Sequence, residues 1–238
     1  MTEDAVLTQM QSLIRRWEET SDRRAIFLSC YLMMTRNMRT AIQRGEFHDP
    51  VWVARLLENF AGYYFVALQA YEHNPASAPP VWQLAHQATR DPQALALQML
   101  LLGVNAHINY DLVFSLVDLL GPEWAAHSPA QRAARYADHC HVNHVIGCTI
   151  DAVQDQVLEP AMPAMDLVDK LLGPLDEKLI SALLSRWRED VWLNATRLLK
   201  MADAAEQERL ILAVEQQVMK IGEVIGPRNK ERSYRWQS

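Results

Sequence analysis

The chain has 238 residues, 50% of them hydrophobic and 22% charged, which suffices for one large buried core. A net charge of -6 argues against the concentrated basic surface that a nucleic-acid groove requires. Only 8 glycines stand against 10 methionines and long Leu-, Ala-, Gln-, Arg- and Glu-rich stretches, a balance that disfavours turn-dense β architecture and favours helices.

In chain order, a first helix is predicted near 3–19. Its acidic start, Met1-Thr2-Glu3-Asp4, lacks the charged-then-apolar layout of a secretory signal, so cytoplasmic residence is expected. A second helix is expected from about 22, capped by Ser21 and stopped at Gly45. Three segments then place a capping residue before a proline at the first helical position: Asp49-Pro50, Asp91-Pro92 and Ser128-Pro129. They predict helices from Pro50 to about Tyr71, from Pro92 to Leu120 with a stop at Gly121-Pro122, and from Pro129 to about Leu158. The stretch Asn74-Pro75-Ala76-Ser77-Ala78-Pro79-Pro80 reads as a loop leading into a short helix around Trp82. A short helix near 164–172 and two more near 175–201 and 204–225, the last capped by Asp203, complete the chain. No repeat or linker divides it, so the expectation is an all-α, single-domain multi-helix bundle over 1–226. A basic tail follows over 227–238, with Arg228, Lys230, Arg232 and Arg235, and it is assigned no function.

Between Leu95 and Leu120 there is no Lys or Arg, so the helix over about 92–120 should be buried and central. It is long enough to span a bilayer, but Asn105, His107, Asn109 and Asp111 would fall at mid-depth, where polar groups are costly, and no membrane partner is expected. Three cysteines cannot all pair, and Cys140 and Cys148 on one helix would lie roughly 12 Å apart, too far for a disulfide. Reduced thiols are expected.

The chemistry-bearing segment is Asn105-Ala106-His107-Ile108-Asn109-Tyr110-Asp111. On an α-helix, His107 and Asp111 share one face, whereas Asn105 and Asn109 share nearly the opposite one. A His and a carboxylate four residues apart can hold one small cation, or bond each other so that the carboxylate orients the imidazole as a general base. The following helix carries Asp138 and His141, three residues apart on a common face. If the two helices pack as antiparallel neighbours, these lie at similar depth to the first pair. The pattern therefore predicts His107, Asp111, Asp138 and His141 as ligands of a divalent metal, zinc or iron, with His107 and Asp111 catalytic and Asn105, Asn109 and Asn143 supporting them. The expected function is a metal-dependent enzyme, hydrolytic or oxidative, acting on a small and partly apolar molecule. Two alternatives stay open. One is a metal-free biosynthetic cyclase or isomerase with His107 as base; the other is a non-catalytic small-molecule binding protein with a structural polar core. No Glu-x-x-His, His-Glu-x-x-His, Walker loop, dinucleotide glycine fingerprint or Gly-x-Ser-x-Gly elbow occurs.

Three segments carry a resemblance: Asp22-Arg23-Arg24-Ala25-Ile26-Phe27-Leu28 leading to Tyr31 and Thr35, then Asp49-Pro50-Val51-Trp52, and above all Asn105 to Leu112. Together they resemble a mainly bacterial helical family catalogued only as a domain of unknown function, over most of the chain. The resemblance implies that His107, Asn109 and Asp111 belong to that family's motif. Locally, Leu102-Gly103 with His107 and Asp111 is also similar to the Leu-Gly-x-x-x-His-x-x-x-Asp helix of the zinc-dependent phospholipase C and single-strand nuclease group, which implies zinc on this His and Asp. The chain departs from that group in having no His-x-x-x-Glu pair and no Pro-x-His after Asp111.

Overall fold

The computed structural model describes residues 3–161 and 177–227, and the described residues form helices and connecting loops without a strand. Helix α1 spans Glu3–Glu19, α2 Ala25–Gln43, α3 Pro50–His73 and α4 Pro80–Ala88. The central rod follows as α5, Ala96–Val104, a π-helical segment, Asn105–Asp111, and α6, Leu112–Trp124. Then come α7, Pro129–Gly147, a short α8, Ile150–Val153, a second π-helical turn, Gln154–Leu158, and α9, Glu159–Ala161. Helices α10, Glu177–Leu198, and α11, Ala204–Ile225, close the fold. The expected helix near 164–172 and the basic tail lie outside the described residues.

The cap signals hold where a side chain reaches the first turn. Asp49 accepts from the Trp52 amide at 2.9 Å, Ser128 from Gln131 at 3.3 Å, and Asp203 from Ala205 at 2.8 Å. Gly45 takes the left-handed conformation, φ 71°, that ends α2.

Four boundaries differ from expectation. Ser21 does not cap α2 but occupies a left-handed turn, φ 54°, while Asp22 accepts from the Arg24 amide at 3.0 Å. The central rod starts at Ala96 rather than Pro92, because Arg23 takes up the carbonyls of Asp91 and Ala94 and holds that stretch as a turn. It also runs through Gly121-Pro122 to Trp124. Pro122 gives up its bond to the carbonyl four residues back, and the end is pinned by Arg132, which donates to the Trp124 carbonyl at 2.7 Å and stacks over its ring. The single helix expected from Pro129 to Leu158 is broken at Cys148-Thr149, where the Thr149 hydroxyl turns back to the Val145 carbonyl at 2.7 Å.

The rod from Ala96 to Trp124 is long and apolar enough to cross a membrane, but 67% of its apolar window is buried inside the fold. Helices α2, α3, α4, α10 and α11 pack around it. Two glycines set the closest approaches. A Cβ on Gly103 would stand 2.5 Å from the Phe27 ring of α2, and one on Gly222 would stand 2.6 Å from Leu84 and 3.5 Å from the Asn105 amide.

Gly103→Ala is expected to destabilise the protein by about 1–3 kcal/mol, since an aromatic ring in a packed core must yield to the new methyl. Gly62→Ala on α3, where a Cβ meets nothing within 4 Å, should be neutral or stabilising by up to about 1 kcal/mol. Urea denaturation of both variants measures the difference.

Candidate functional site

The polar motif forms the π-helical segment itself. A π turn carries one more residue than an α turn, which widens the helix locally and is found mostly at functional positions. All four polar side chains of the segment are buried, with His107 3% and Asp111 2% exposed. They divide into the two pairs the spacing predicts. Asn109 donates to Asn105 at 2.9 Å, and Asn105 in turn donates to the Val218 carbonyl of α11 at 3.0 Å, so the asparagines tie the rod to its neighbour.

The other pair is the chemical one. His107 Nδ1 lies 2.9 Å from Asp111 Oδ2, and Trp82 Nε1 of α4 donates to both Asp111 oxygens at 3.2 and 3.0 Å. The imidazole is clamped by rings. Phe60 stacks on it at 3.5 Å with planes 5° apart, and Tyr31 meets it edge-on at 4.4 Å. Its Nε2 is buried without a hydrogen-bond partner among the described residues, as are the hydroxyls of Tyr31 and Tyr64.

His107 and Tyr31 line a cavity of about 180 Å³. Its wall is apolar for most of its extent, with Met34, Met38, Leu56, Leu100 and Ile146 among the contributors from α2, α3, α5 and α7. Of its polar lining, Thr35 and Thr149 are satisfied by the Tyr31 and Val145 carbonyls. Burial pushes the Cys30 thiol up to about 12, so it stays protonated. A second buried polar pole stands on α10. Arg188 donates from Nε to Asn143 Oδ1 at 2.8 Å and from Nη2 to the His139 carbonyl at 2.7 Å, while His139 Nε2 donates to the Arg188 carbonyl at 3.0 Å.

Burial holds the Asp111 carboxyl well above the usual carboxylate range and His107 well below the usual imidazole range. Both shifts oppose charge, so the pair is net neutral, with a proton between Oδ2 and Nδ1 and the Nε2 hydrogen directed away from Asp111. His139 is likewise held neutral by burial and by the adjacent guanidinium, and burial lowers His86 to about 3.

The structure does not bring Asp138 and His141 to this pair. The Asp138 carboxylate turns the other way on α7, accepting from the backbone amides of His48 at 2.7 Å and Asp49 at 2.9 Å, where it fixes the entry to α3. His141 is one-third exposed, faces Glu46 at 3.3 Å and meets the Phe47 ring edge-on. Among the described residues no cluster of three or more His, Cys, Asp or Glu side chains is placed to hold a metal ion. Asn143 supports Arg188 rather than His107. Sequence reasoning passed over Trp82, Phe60 as the stacking partner of His107, and Arg188. The spacing of His139, Val142 and Ile146 marks the buried face of α7 and was the available signal that His139, not His141, faces inward.

The candidate site is thus a buried His–Asp pair on a π-helical core segment beside an apolar cavity in an all-helical fold. The chain belongs to a family of unknown function, DUF5995, whose sequence profile matches residues 4–227. No curated protein and no solved structure matches it.

Two outcomes follow from this geometry. Asp138→Ala strands two backbone amides and should cost roughly 2–4 kcal/mol in thermal or urea denaturation. The pH dependence follows from the buried histidines. A folded-state pKa below the unfolded value of about 6.5 stabilises the protein above that pH, and the contribution is lost as pH falls and the unfolded chain takes the proton. His107 and Asp111 shift in opposite directions and largely cancel, which leaves His86 and His139. Stability should therefore fall from pH 6.5 to pH 5 by roughly 2 kcal/mol for each of these two, and His86→Phe should halve the slope in urea titrations at the two pH values.

Proposed function

We propose that this chain binds a small, largely apolar molecule in the cavity, sets a hydrogen-bond acceptor of that molecule against His107 Nε2, and moves a proton on it without a metal. The observation that carries the reading is the buried, unpartnered Nε2 of an imidazole fixed by Asp111, Trp82 and Phe60 on the cavity wall. An engineered apolar cavity of about 150 Å³ takes benzene, so the volume suits one ring or a medium-length chain.

The pair supports a balanced proton shift. Nε2 gives its hydrogen to an acceptor such as a carbonyl oxygen, while the Asp111 proton passes to Nδ1. The freed Nε2 lone pair then takes a proton from a neighbouring carbon of the same molecule, and Nδ1 returns its proton to Asp111. The net change is an isomerisation that consumes nothing else. Trp82 holds Asp111 in place throughout, and the apolar wall keeps water from competing for the proton. Metal-dependent hydrolysis or oxidation has less to build on, because His107 and Asp111 face each other and Asp138 and His141 are engaged at the 46–49 segment.

The test uses 2-octanone in D₂O, with α-proton exchange followed by NMR. Wild-type protein should bind the ketone and accelerate exchange, and His107→Gln should lose about 10²–10⁴-fold of the acceleration while still binding it. Binding without exchange would reduce the chain to a binding protein. Absence of binding to 2-octanone or any comparable apolar probe would remove the cavity reading altogether.

A further inference from the structure

The polar groups on the cavity wall are not equivalent. His107 is kept neutral by its surroundings, whereas a guanidinium stays charged at neutral pH even where burial lowers it to about 10, as at Arg188. Arg188 is 4% exposed and lines the cavity. Its hydrogen bonds go to neutral acceptors, the Asn143 amide oxygen and the His139 carbonyl, with the His139 ring nitrogen at 3.3 Å. These occupy Nε and Nη2 and leave the two hydrogens of Nη1 without a bond among the described residues. No carboxylate pairs with it among the described residues, and the Cys140 thiol is the titratable neighbour whose field favours its charge. A buried cation without a counter-ion costs several kcal/mol. Among the described residues that line the cavity, Arg188 is also the one cationic side chain, and none of them is an aspartate or glutamate.

We infer that the molecule bound in this cavity is an apolar carboxylate, its head group on the free edge of Arg188 and its body along the methionine, leucine and isoleucine wall. The inference rests on the cavity being a ligand site, as proposed above, and adds the charge of the ligand. A single guanidinium is neutralised by a monoanion; a dianionic phosphate would leave net negative charge in an apolar enclosure. Nη1 keeps its hydrogens for that head group while Nε and Nη2 stay on Asn143 and His139, and a charge-assisted hydrogen bond to a carboxylate is stronger than one to a neutral oxygen.

Calorimetry on the full chain with octanoate and 1-octanol, equal in chain length and different in head group, tests the inference. Wild-type protein should bind octanoate at least tenfold more tightly than octanol. Arg188→Met should abolish that preference while leaving octanol affinity within about threefold, and Arg188→Lys should retain part of it. Ile146→Trp, which fills the cavity, should weaken both ligands. Because Arg188→Met removes a buried hydrogen-bonding group and can unfold the chain, the wild-type ratio and the Ile146→Trp result decide the matter in that case. Equal or tighter binding of octanol, or octanoate binding that survives Ile146→Trp, overturns the carboxylate inference and leaves the proposed cavity intact. Binding of neither ligand overturns both.

Discussion

A carboxyl group and an imidazole buried side by side on one helix can persist in an apolar core only if neither carries an uncompensated charge and each hydrogen-bonding edge is directed. The packing around the rod meets that demand for His107 and Asp111. Trp82 reaches in from α4 to hold both carboxyl oxygens, Phe60 from α3 fixes the ring plane, and Tyr31 with Phe27 from α2 closes its edges. Three helices are thereby committed to the orientation of one side chain. The close approach of α2 to α5 at Gly103 belongs to the same arrangement, because any side chain there would drive Phe27 out of place beside the imidazole.

The π-helical stretch fits this picture. Four polar residues in seven would be costly on a regular helix that is apolar on every side. Within the segment each pair closes on itself, Asn105 with Asn109 and His107 with Asp111, so that three of the four side chains satisfy one another or α11 and the Nε2 edge of the imidazole is what remains. The free edge belongs to a residue of the cavity lining, within a network whose other members are paired.

Much of the fold was legible because helix starts are written in local chemistry: Asp49, Ser128 and Asp203 each meet the amide that a cap must meet. The pairing within the motif was legible for the same reason, since neighbours four residues apart stay neighbours on either kind of helix. What lay beyond reach was set by tertiary neighbours. Arg23 delays the rod from a loop that is distant in sequence, and Trp82 reads as an ordinary packing residue of a short helix. Arg188 sits in Ser185-Arg186-Trp187-Arg188-Glu189-Asp190, a charged stretch whose inward residue is identified only by what α7 offers it. Asp138 and His141 lie on the helix that follows the rod but are engaged at the 46–49 segment. Two unpaired amides ahead of α3 claimed the Asp138 carboxylate, and amides of an irregular segment leave no mark in a side-chain pattern.

The two buried poles answer the cost of burial in opposite ways, and that difference separates recognition from chemistry. An imidazole and a carboxyl can trade a proton and lose their charges, so His107 and Asp111 need no counter-ion. A guanidinium has no such escape, and Arg188 stays cationic where the described residues offer it an amide oxygen, a carbonyl oxygen and the His139 ring nitrogen. Had the charge stood beside His107 instead, it would have favoured the ionised Asp111 carboxylate while opposing an imidazolium, and so taken from the pair the proton it shares. With the charge on α10 and the neutral pair on the rod, both lining one largely apolar cavity, the proposed anion and the proposed proton shift would fall to different groups.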